Sequence, residues 1–183
     1  MSQFTPEILS YTPAMTPDTT RALLRHIVAT LAYRAAKVLR DVPPEFAEFS
    51  SGPNTRPPVQ ILAHMGDLMT WAERVAQGEY VWSAEGSHDW NTELQRFFNR
   101  LGALDKALAS ELPLDPRNAD LLIQGPLADA LTHVGQIALL RGAAGVPIRP
   151  ESYARAEIVA GRVGFEQAAP GREFDGDASP LKP

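Results

Sequence analysis

Three residues in this chain have the types and the spacing to hold a metal ion. His64 lies in "PVQILAHMGDLMTWAERVAQGE", and Asp129 and His133 stand four apart in "DALTHVGQIALLRGAAG" (Asp129 to Gly145). A helix turns once in 3.6 residues, so Asp129 and His133 project from one face, one turn apart. His64 sits between Ile61 and Leu68, and His133 between Ala130 and Ile137, so both belong on or beside a buried face. An acid or imidazole buried there needs a partner, because desolvation without one is costly. The candidates are a metal ion, a hydrogen-bonded neighbour or water.

Two histidines and a carboxylate with open positions suit Zn, Ni or Fe, and such an ion acidifies a bound water. The same residues allow a simpler arrangement, in which Asp129 accepts a hydrogen bond from His133 across one turn. D-x-x-x-H by itself is far less specific than H-E-x-x-H. The remaining polar candidates carry less. His26, beside Arg25 and Thr30, reads as a surface residue, and His88 in "GSHDW" as a cap or turn residue. Gln136 and Arg141 read as structural hydrogen-bonding groups that can also reach an anionic ligand. Trp71, Trp82 and Trp90 read as core. "GRVG" (Gly161 to Gly164) has neither the preceding strand nor the spacing of a phosphate loop.

To bring His64 toward Asp129 and His133, two helices must lie face to face. "TPDTTRALLRHIVATLAYRAAKVLRDVPPEF" opens with Pro and Asp, both helix-start signals. Leu23, Leu24, Ile27, Val28, Leu31, Ala35, Val38 and Leu39 recur there at helical spacing, and Pro43-Pro44 stops the run, which predicts a first helix from about Pro17 to Asp41. "EFSSGPNTRPPVQ" is a linker. The second helix buries Ile61, Leu62, Met65, Leu68, Met69, Ala72 and Val75 and ends at Gly78. Ser87 can cap a third helix, with Trp90, Leu94, Phe97, Phe98, Leu101, Leu104 and Leu108 inward and Pro113 closing it. The fourth is the Asp129–Gly145 stretch, preceded by "RNADLLIQGP" and ended by Gly142 or Gly145.

No stretch alternates with period two for long enough to suggest a sheet. The expectation is an all-α protein: a four-helix bundle over 17–148, after an extended lead-in over 1–16. A C-terminal extension over 149–183 packs on the bundle and carries only a short helical signal around Tyr153–Val159.

With 183 residues, 44% of them hydrophobic and 21% charged, the chain most simply makes one domain. A net charge of -5 argues against nucleic acid, which calls for a concentrated basic surface. There is no cysteine, so disulfides, thiolate zinc sites and a cysteine nucleophile are excluded. Any metal must be held by His, Asp, Glu or water. The first residues lack a basic segment followed by an apolar run, and no window approaches a membrane span, so a cytoplasmic location is expected.

The second-helix segment and "DALTHVGQIALLRGAAGVPI" resemble the DinB-like (DinB/YfiT) superfamily of helical bundles. Its members show an "ilaH" helix, later an "HxxxHrgQi" helix, then "LR" and a glycine at the helix end. The likeness covers about residues 17–148, and "AEIVAGRVGFEQAAPGREFD" resembles the extension of one subgroup. It implies a right-handed bundle with an unusual crossing, frequently a homodimer, and a divalent metal, often zinc or nickel, on three histidines. His64 matches the second-helix histidine and His133 the histidine just before "rGQ". Asp129 stands where the family has its remaining histidine, a departure that either keeps the metal with one unit less positive charge or leaves a hydrogen-bonded pair.

Characterised members are metal-dependent thiol transferases or isomerases that use bacillithiol or mycothiol. The metal binds the cofactor's sulfur, lowers its pKa and presents a thiolate to a small-molecule electrophile. The lack of cysteine is compatible, since the nucleophile arrives with the cofactor. Metal-assisted hydrolysis uses the same constellation. A reading of another class is a non-catalytic, dimeric stress-related or ligand-binding bundle, in which His64 and Asp129 are hydrogen-bonded and packed over.

Overall fold

Proline and short polar residues set where each helix begins. The computed structural model describes residues 16–174. Helix α1 (Pro17–Leu39) starts from Thr16, whose hydroxyl accepts the Thr19 amide at 3.2 Å. Pro17 occupies a position where a missing N–H costs nothing. A 3-10 turn (Pro44–Glu48) buries Phe46, and α2 (Pro58–Ala76) again opens on proline. Helix α3 (Trp90–Ala109) is capped by Asp89, whose carboxylate accepts the Thr92 amide at 2.7 Å. Ser87 is therefore not the cap. Its hydroxyl accepts the Asp89 amide instead, and the carboxylate takes the position facing the positive end of the helix.

The last helical run is longer than the sequence suggests. It begins at α4 (Pro116–Leu122), capped by Asp115, passes through a π turn (Ile123–Leu127) and continues as α5 (Ala128–Ala143). Gly125-Pro126 lies inside this run, yet the Ala128 amide reaches back to the Ile123 carbonyl and the chain stays helical. Pro126 has no N–H and its ring crowds the carbonyl one turn back, and a widened turn accommodates both. Between the two candidates for the end of α5, Gly145 is the one used: its φ is +77°, and Val146 N–H returns to the Arg141 carbonyl at 2.9 Å. Gly78 ends α2 in the same way.

The main packing contacts run α1 to α3, α3 to α2, α2 to α5 and α5 back to α1. The enclosed core includes Leu24, Leu31, Leu62, Met69, Phe97, Leu101 and Ile137. Burying each such large side chain contributes about 1.5–3 kcal/mol. Of the residues expected inside on α1, Leu23 is turned out, at 43% exposure. Arg141 ties the end of α5 to the end of α1: its Nη1 donates to the Val38 and Arg40 carbonyls at 3.1 and 2.6 Å. That cation on the α1 C-terminus satisfies carbonyls the helix leaves open and fixes α5 along its axis.

Among the described residues there is no strand, only an isolated bridge between Glu151 and Glu173, so the chain is all-α with its helices gathered round one core. In the C-terminal segment the helical signal at Tyr153–Val159 shortens to one 3-10 turn, Tyr153–Arg155. Glu151 is buried there, accepting from Tyr33 at 2.6 Å and Lys37 at 2.8 Å, and Phe165 packs edge-on against Phe98. All but the last residue of the expected lead-in over 1–16, and the final residues, 175–183, lie outside the described residues. No described helix is long and apolar enough to cross a membrane.

Candidate metal centre

His64, Asp129 and His133 come together between α2 and α5. One donor atom from each lies within 4.8 Å of the other two. Asp129 stands in the middle: one carboxylate oxygen is 3.5 Å from His64 Nε2 and the other is 3.4 Å from His133 Nε2. The imidazoles are nearly perpendicular, with centroids 5.0 Å apart. Good N–H···O hydrogen bonds are shorter than these carboxylate distances. Two ligands held about 2.0–2.1 Å from a tetrahedral zinc ion stand roughly 3.3 Å from each other, close to the two distances from Asp129. The group could therefore hold a metal ion.

Each donor is placed by its helix. The π turn ends where α5 begins, so it sets the phase that puts Asp129 and His133 toward α2. His133 is 8% exposed, whereas the Asp129 side chain is 46% exposed, so the centre has a closed side and an open one. His133 Nδ1 is 2.7 Å from Gln136 Oε1, which accepts its proton and leaves the Nε2 lone pair directed at Asp129 and His64. Burial pushes the His64 imidazole below its ordinary value near 6.5, and His133 and the Arg56 charge lower it further, while Asp129 acts in the opposite direction. At neutral pH His64 is uncharged, as a ligand must be.

The loop between α2 and α3 brings Trp82 against His64, edge to face at 5.8 Å, and against Trp71 at 6.0 Å. Trp82 is 47% exposed, so it is not the core residue expected from its type. The loop is pinned by buried charge: Asp67 Oδ1 accepts the Glu85 amide at 2.9 Å and Arg96 Nη1 at 2.8 Å, and Arg96 also bonds Glu93 at 2.7 Å. Gly86 is needed for the close approach, because a Cβ there would stand 2.7 Å from Ala63 Cβ.

Two cavities flank the centre. One, of about 310 Å³, lies against His133 and Gln136, and the other, of about 360 Å³, against His64 and Gly86. Arg56 lines both. Of the sequence candidates, His64, Asp129, His133 and Gln136 are brought together. Arg141 is spent on α1, and His26 is exposed and outside the group. His88 is exposed in a bend and lines the His64 cavity without joining the group. Arg56, within the linker, and the Asp67–Arg96–Glu93 cluster carry no sequence signal beyond charged residues in ordinary surroundings. No family model matches the chain, and no curated protein or solved structure matches it either.

Proposed function

We propose that this protein is a divalent-metal-dependent enzyme of the DinB-like kind, in which His64, Asp129 and His133 hold Zn or Ni and a small thiol is the co-substrate. The observation that carries the proposal is the convergence of three possible ligands from α2 and α5, their donor atoms within 4.8 Å of one another, with one side open to solvent. A bound divalent ion supplies acidity, bringing a coordinated thiol or water toward deprotonation near neutral pH. The chain's own residues do the rest. Gln136 orients His133, Trp82 covers one face of His64, and the open side beside Asp129 admits substrate. With no cysteine in the chain, a sulfur nucleophile comes with the co-substrate. The resemblance of the "ILAH" and "DALTHVGQI" segments to the DinB-like superfamily supports S-transfer or isomerisation as the leading reading, and metal-assisted hydrolysis would use the same constellation.

The test begins with metal content, by inductively coupled plasma mass spectrometry, of untagged protein and of the Asp129→Ala and His133→Ala variants. Cobalt-loaded protein is then titrated with 2-mercaptoethanol and followed by its sulfur-to-cobalt charge-transfer band. Near-stoichiometric metal that falls in both variants, together with a thiol-dependent band, is expected. Protein that carries no metal and takes up neither Zn nor Ni would overturn the proposal. Asp129 would then be a polar partner for two histidines in a non-catalytic bundle.

A further inference from the structure

Arg56 is exposed and has no hydrogen-bond or carboxylate partner among the described residues, yet it is the one residue common to the cavities on either side of the centre. No carboxylate lines the His133 cavity, where Ser51 and Thr55 stand beside Arg56 and Ile61, Leu139 and Leu140 form an apolar wall. The one carboxylate lining the His64 cavity, Asp67, is already held by Arg96 and the Glu85 amide. Arg56 is thus an uncommitted cation beside the donors, and a guanidinium pairs with a carboxylate through two parallel hydrogen bonds.

We propose that Arg56 anchors the carboxylate of the thiol co-substrate, so that the site selects a small molecule carrying a thiol and a carboxylate a few bonds apart. This rests on the metal-centre reading above. Charge balance favours it: a divalent ion with Asp129 and Arg56 leaves two net positive charges, which a thiolate and a carboxylate on one ligand neutralise. The sulfur takes the open side of the centre, the carbon body lies along Ile61 and Leu140, and the carboxylate meets Arg56 with the Ser51 hydroxyl at hand.

The probes are 3-mercaptopropionate and its methyl ester, titrated by calorimetry into cobalt-loaded and metal-free protein, wild type and Arg56→Gln. Wild-type protein is expected to bind the acid at least tenfold tighter than the ester. Arg56→Gln loses that preference while its metal content and its affinity for the ester stay unchanged, and Arg56→Lys retains part of it. A wild-type protein with no preference for the acid in either form, or an Arg56→Gln protein that keeps the preference, overturns the proposal. Failure of metal uptake counts against the metal centre alone, because the metal-free titration still decides whether Arg56 binds the carboxylate.

Discussion

Asp129 is spaced from both imidazoles at 3.4 and 3.5 Å, too far for good hydrogen bonds and near enough to share an ion with them. What makes His133 a defined donor is Gln136, one turn along the same helix. Gln136→Leu removes the acceptor for Nδ1–H, frees the imidazole to turn and is expected to cost about 10–100-fold in zinc affinity. Competition with a chromophoric chelator measures this, and an unchanged affinity would count against the orienting role. His64 leads to a pH prediction for metal-free protein. Its folded value lies below the ordinary 6.5, so on acidification the unfolded chain takes up the proton first. Stability from this group is therefore full above about 6.5 and is lost as the pH falls from there toward the folded value. Urea midpoints across that window should fall less steeply in His64→Gln than in wild type, and equal slopes would refute the assignment. Spacing in the sequence made Asp129 and His133 neighbours, and helix periodicity put His64 at a buried edge. The role of Trp82 was not legible, because an aromatic residue in a loop carries no signal of what it will lie against.

Helix starts and apolar stripes were legible because each depends on residues within a turn or two. The π turn was not. The sequence starts its fourth helix only at Asp129, and nothing local to "RNADLLIQGP" shows that α4 and α5 will be held in one run through a widened turn. The same limit hid the clamp on the α2–α3 loop. Asp67 sits amid "HMGDLM", and nothing local shows that Arg96, 29 residues away, will meet it. That cluster is buried, with the Glu93 side chain 1% and the Asp67 side chain 7% exposed. Arg96→Met removes the cation shared by the two carboxylates and is expected to destabilise the protein by about 3–5 kcal/mol. Chemical denaturation gives the magnitude, and tryptophan emission shifted to the red in the folded variant would show Trp82 released from His64. A loss under 1 kcal/mol, with emission unchanged, would mean the clamp is dispensable (roughly the worth of a surface pair).

Across the whole molecule the helices converge on one core, but the candidate centre draws its ligands from only two of them, α2 for His64 and α5 for Asp129 and His133. These lie far apart in the chain, so an ion held by all three closes a long loop and exists only in the folded protein. Binding to the folded state alone must raise stability by mass action, by about 2.7 kcal/mol at a free ion concentration 100 times the Kd. For a protein of this size that corresponds to a rise in Tm of roughly 5–11 °C. The C-terminal segment supplies an internal control. Its buried Glu151, held by Lys37 and Tyr33, is a separate ion cluster, so Lys37→Met should lower Tm while leaving the zinc-dependent rise intact. Asp129→Ala should do the reverse, changing the metal-free Tm little, since its side chain is partly exposed, and abolishing the rise. Scanning calorimetry of the three proteins with and without zinc separates the two effects. A wild-type Tm indifferent to zinc, or a rise that survives in Asp129→Ala, would place any bound ion elsewhere, whereas loss of the rise in Lys37→Met would show that the centre depends on the whole bundle and not on α2 and α5 alone.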